Sequence, residues 1–145
     1  MHVLAGAAWF GAMFYSLTVL HPRARRFFAD DAKFEDFIAS ISQGARWKVL
    51  GALGLIAVSG VTLMILLVRL GLSRGWWILI GVKIVLFLTA LVIFWYASWR
   101  LWPMRIFASA EELPGIHRRF AAVGIALILI ASASMALGLL AHLVR

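Results

Sequence analysis

The chain has 145 residues, of which 64% are hydrophobic and 14% charged, and its mean hydropathy is +0.99. A soluble domain carries about a quarter charged residues, so this composition excludes one and points to an integral membrane protein. The formal net charge of +8 comes from basic residues at the ends of apolar runs, which is how membrane spans are oriented and not how nucleic acid is bound, and the lack of cysteine excludes disulfides, thiolate metal sites and cysteine nucleophiles.

The first apolar run, Val3 to Leu20, is expected to be a span that stops at His21-Pro22 and is anchored by Arg23, Arg25 and Arg26. The basic residues follow this run instead of preceding it, so it is not read as a cleavable signal. From Asp30 to Gln43, Phe34, Phe37, Ile38 and Ile41 recur at helical spacing, with Asp30 or Asp31 placed to cap the start. This segment reads either as a short amphipathic helix on the cytoplasmic membrane surface or as an extension of the next span, broken near Gly44. A second span is expected over residues 47–70, followed by the link Gly71 to Gly75. A third covers 76–102 and ends before Pro103. A loop with Arg105, Glu111, Glu112 and Pro114 leads to a fourth span over 118–143. The expected fold is therefore all-α, an integral membrane four-helix bundle with a short cytoplasmic amphipathic helix, and residues 1–145 form one transmembrane domain. No internal repeat stands out.

Charge sets the expected orientation. The first loop carries Arg23, Arg25, Arg26, Lys33, Arg46 and Lys48, and the third carries or abuts Arg100, Arg105, Arg118 and Arg119. The other side has Arg69, Arg74 and Arg145. The positive-inside rule then places both termini outside and the longer loops in the cytoplasm. On that topology the six carboxylates, Asp30, Asp31, Glu35, Asp36, Glu111 and Glu112, are all cytoplasmic.

His2, His142 and Lys83 fall in the outer half, whereas His21 and His117 fall at the inner interface beside arginines. An intramembrane lysine is a functional candidate because its burial is costly. Lys83 has no carboxylate on its side of the chain, so its partner would be a lipid phosphate, a cofactor carboxylate or another subunit. The plainer alternative is that it snorkels past Trp76 to the headgroups. His142 shares helical spacing with Ala131, Met135 and Gly138, small neighbours that would turn it toward the bundle. His2 has Gly6, Trp9 and Met13 along the same face. Neutral imidazole ligates haem iron or copper, and the thioether of Met13 or Met135 suits Cu(I). Each histidine taken alone reads more simply as an ordinary interfacial polar residue. There is no HExxH, no carboxylate pair within the membrane and no phosphate-binding glycine pattern, and Ser132 and Ser134 have no visible base.

The opening run Met1 to Phe14, with its His2, Trp9 and Gly11, resembles the first helix of the copper resistance D family and of the related HemJ-type protoporphyrinogen oxidases. Arg46-Trp47 through Ser59-Gly60 resembles the second helix of that superfamily, and Gly75-Trp76 followed by Lys83 its third. The likeness covers most of the chain in hydropathy and order. It implies copper handling, or haem b binding with tetrapyrrole oxidation, with His2 and Lys83 in the key positions. The last helix departs from the HemJ-type pattern, with Arg119-Phe120-Ala121-Ala122-Val123 where an Asn-Glu-Ile-Pro-like segment is expected. Copper resistance D proteins are also usually larger.

Three readings follow. The first is a bacterial inner-membrane protein binding haem b or copper through His2, His142, Lys83 and Trp9, with His2 and His142 as metal ligands. The second is a cofactor-free accessory subunit of a larger membrane complex, or a homo-oligomer. The third is a protoporphyrinogen oxidase, an oxidoreductase of tetrapyrrole metabolism. No catalytic residue is assigned.

Overall fold

The computed structural model describes residues 1–69, 71 and 73–143. Among them run five helices: α1 (His2–Phe27), α2 (Asp31–Ser42), α3 (Ala45–Val68), α4 (Arg74–Ile106) and α5 (Leu113–Leu143). All but α2 are long and apolar enough to cross a membrane. The class is all-α and membrane-integral, as expected. The expected span ends at Leu70 and the outer-side Arg145 lie outside the described residues. The chain divides into two compact units, Met1–Val61 and Thr62–Arg145.

Two helices run further than their prolines suggest. Proline lacks an N–H and its ring collides with the carbonyl four residues back, so α1 and α4 were expected to stop at Pro22 and Pro103. Both continue, to Phe27 and Ile106. The backbone just before each proline widens into a π turn, at Ser16–Leu20 and Ala97–Leu101. There the His21 N–H donates to Ser16 O and the Trp102 N–H to Ala97 O. The wider turn makes room for the ring and carries the helix through it.

The remaining boundaries follow from caps. Asp30, not Asp31, caps α2, its Oδ1 accepting from the Ala32 N–H at 2.9 Å. Ser73 caps α4 by accepting from the Trp76 N–H at 3.1 Å. Glu112 Oε2 accepts from the Ser109 N–H at 3.0 Å and its hydroxyl at 3.1 Å. This capping box helps start α5 at Leu113, five residues before the expected 118, with Pro114 in its first turn.

In the first unit, α2 is a helix of its own, parted from α3 at Gly44, whose φ of 73° suits a residue without a side chain. Its apolar stripe is covered by protein and does not simply lie on a membrane surface. Ile38 is 1% exposed and Phe34 is buried, while Ile41 is turned out. The end of α1 supplies part of this cover. The rings of Phe28 and Phe37 lie 5.2 Å apart, Arg25 sits 5.4 Å over the Phe34 ring, and Arg25 pairs with Asp31 at 3.2 Å.

In the second unit, α4 packs along α5. The buried positions of α5 are Ile116, Leu127, Ala131 and Ala141, and those of α4 include Trp76, Ala90, Ser98 and Leu101. Leu101 is 0% exposed. Beyond Pro103, Arg105 is 7% exposed, with its guanidinium 5.8 Å from the Trp102 ring and 5.4 Å from Phe120. Those two rings meet edge-on at 6.2 Å.

Candidate functional site

The first unit holds His2 firmly. Its Nδ1 lies 3.0 Å from the main-chain carbonyl of Ile56 and 3.1 Å from Ser59 Oγ, both on α3. A carbonyl oxygen only accepts, so Nδ1 carries the proton. The Ser59 hydroxyl donates its own hydrogen to Leu55 O at 2.6 Å, which leaves its oxygen to accept from the same Nδ1–H. The proton on Nδ1 is thereby fixed, so Nε2 is the nitrogen that bears the lone pair when the ring is neutral. The ring lies against Gly60. A β-carbon there would stand 3.0 Å from Cε1, 3.4 Å from Nδ1 and 3.8 Å from Nε2. A side chain at position 60 would crowd the imidazole, which would have to give by a few tenths of an ångström.

Trp9 sits two turns further along α1. It is 9% exposed, and its indole Nε1 is buried with no hydrogen-bond partner among the described residues. A buried donor left unpaired costs about 1–3 kcal/mol, and a phenylalanine would fill much of the same space without that cost. Gly6, between His2 and Trp9 on the same face, has open space where a β-carbon would be.

In the second unit, Lys83 is half-buried and turned toward α5. Its Nζ lies 3.0 Å from the β-carbon position of Gly138. It has no hydrogen-bond or ion-pair partner among the described residues. His142 does not share this environment. It is exposed, and the residue turned inward at that end of α5 is Ala141. The inward orientation expected of His142 is therefore corrected: the packed face passes from Gly138 to Ala141, and one further residue rotates the side chain by about 100°.

The other histidines play different parts. His21 Nδ1 lies 3.0 Å from Ser16 O and 3.4 Å from Ser16 Oγ, so its ring braces the π turn of α1. His117 is half-buried near the start of α5. Among the described residues, no group of three or more His, Cys, Asp or Glu could hold a metal ion. The residues that sequence reasoning gave no role here are Ile56 and Ser59. The contribution of Ile56 is a backbone carbonyl, which no side-chain pattern reports. The only sequence trace is the small pair Ser59-Gly60 in an otherwise bulky apolar run.

No protein-family model, curated protein or solved structure matches the chain.

Proposed function

We propose that this chain is a multi-pass protein of the bacterial cytoplasmic membrane, both termini outside, that binds haem b with His2 Nε2 as an iron ligand. One observation carries the proposal: Nδ1–H of His2 is held by the Ile56 carbonyl and Ser59. Histidines that ligate metals characteristically donate the second ring N–H in this way, which fixes the ring and raises the basicity of the other nitrogen. The buried, unpartnered Trp9 N–H on the same helix face is a further donor suited to a bound group.

Haem suits these residues better than copper does. Haem brings four nitrogens of its own and asks the protein for one or two ligands. A copper ion needs a fuller set. Met13 is 11 residues along α1 from His2, about 16 Å at helical rise, and Met135 is about 10 Å along α5 from His142. Neither thioether shares an ion with its helix's histidine. When bound, haem supplies one-electron redox chemistry. The chain's part is to present a neutral imidazole in one tautomer and to surround it with apolar helix.

Absorbance of the detergent-purified protein from its native membrane tests this. A Soret band that His2→Ala abolishes and His142→Ala retains is expected. A colourless preparation with intact helicity overturns it.

A second reading has its own support. The Lys83 ammonium lacks a partner among the described residues, in a helix that crosses the membrane. An acidic group of a larger complex would satisfy it. Co-purification of such a complex, abolished by Lys83→Met while any haem stays bound, is the expected sign.

A further inference from the structure

The two units repeat one plan at a spacing of 81 positions, which residue identity almost entirely conceals. His2 and Lys83 are 81 apart, and each rests on a glycine of a following helix, Gly60 or Gly138. Tyr15 and Tyr96, Leu20 and Leu101, and Pro22 and Pro103 share the spacing, as do the two π turns at Ser16–Leu20 and Ala97–Leu101. Beyond each proline the parallel continues in function, not in register. Arg25 sits 5.4 Å over the Phe34 ring of α2, and Arg105 sits 5.4 Å over the Phe120 ring of α5.

We propose that each π turn with its proline is a hinge, and that the arginine seated on the next helix's phenylalanine is its latch. A π turn holds one residue more than an α turn. Closing it to α geometry shifts the register by one residue and rotates one side of the helix against the other by about 100°. Proline removes a main-chain donor from this region, so the α form gains no full hydrogen-bond ladder and the two forms lie close in energy. The segment past the proline is then held by what it touches. In α1 that includes Arg25 on Phe34, with Asp31 at 3.2 Å, and Phe28 against Phe37 at 5.2 Å. In α4 it is Arg105 between Trp102 and Phe120. Rotation about the first hinge would turn His2 away from Gly60 and Ile56, so the latch controls the presentation of the imidazole. The hinge stands whether or not His2 binds haem.

The chain has no cysteine, so spin labels can be placed at will. Arg26→Cys and Lys48→Cys, both exposed positions of the first unit, report distance by electron double resonance in lipid nanodiscs. The otherwise unaltered protein is expected to give one dominant distance. Arg25→Gln is expected to raise a second population about two- to fivefold, the change a cation–π contact of ordinary strength produces. Phe34→Leu, which keeps the arginine, is expected to do the same. Pro22→Ala added to either variant returns the missing donor to the α form and is expected to raise the second population further. Unchanged distances in both latch variants, or a second population that Pro22→Ala lowers, overturns the proposal. Should Arg25→Gln fail to fold by circular dichroism, Phe34→Leu alone decides it in the same way.

Discussion

The Nζ of Lys83 stands 3.0 Å from the place a β-carbon of Gly138 would occupy, so a methyl group there would crowd the ammonium. His2 and Gly60 show the same 3.0 Å relationship through the ring carbon Cε1. The two seats differ in what they hold. Lys83 ends in a flexible four-carbon stem, whereas His2 is a rigid ring tied to Ile56 O.

That difference predicts unequal responses to one methyl group. Gly138→Ala should cost less than about 0.5 kcal/mol, because Nζ withdraws by bond rotation. Gly60→Ala should cost about 1–2 kcal/mol, because a rigid ring tied to a carbonyl gives way only by weakening that hydrogen bond. Reversible unfolding in mixed micelles measures both, and equal costs would refute the account of the seats.

Ser59→Ala removes one of the two acceptors for the His2 Nδ1–H and leaves the Ile56 carbonyl. On the proposed haem reading, binding should persist with affinity lowered by about tenfold, the low end of effects at groups that orient metal ligands. Haemin titration followed at the Soret band is the measurement. Complete loss would mean that the hydroxyl, not the carbonyl, fixes the ring.

The packing of α2 predicts a contrast between two isoleucines one turn apart. Ile38 is 1% exposed and Ile41 is 42% exposed. Ile38→Asp should release α2 and raise its hydrogen exchange by at least tenfold, because an unpaired carboxylate cannot stay buried there. Ile41→Asp should leave α2 exchange within about twofold of the original. Equal protection in both variants would show that α2 is not held by its Phe34–Ile38 stripe.

Leu101→Ala should be among the costlier single truncations, at about 2–5 kcal/mol, since the side chain is 0% exposed beside the π turn of α4. Met104→Ala, three residues on at an exposed position, should cost less than about 1 kcal/mol. The same unfolding assay compares them.

The spans were legible because a run of apolar residues long enough to cross hydrocarbon has few other uses, and the described helices fall on all four runs. Their ends were less so. Pro22 and Pro103 look like terminators because rules drawn from regular α geometry leave no room for the ring, and a π turn has no sequence signature of its own. The start of α5 was placed late because the Ser109–Glu112 box was not weighed as a cap. Within the candidate site, His2 and Lys83 could be singled out by composition, being nitrogen-bearing side chains in apolar helices. What holds them could not, since a main-chain oxygen and a missing β-carbon are properties of the neighbouring helix. His142 was turned inward by a spacing of four from Gly138, where the packed face in fact steps by three.

The passage of α4 through Pro103 also settles its reach. Thirty-three residues of continuous helix measure about 50 Å, well beyond the hydrocarbon thickness of about 30 Å. Lys83 and Arg105 lie about 33 Å apart along it, on either side of the π turn at Ala97–Leu101. A helix of that length extends past the hydrocarbon at its ends, so turning at that π segment would swing the arginine end without displacing the ammonium end.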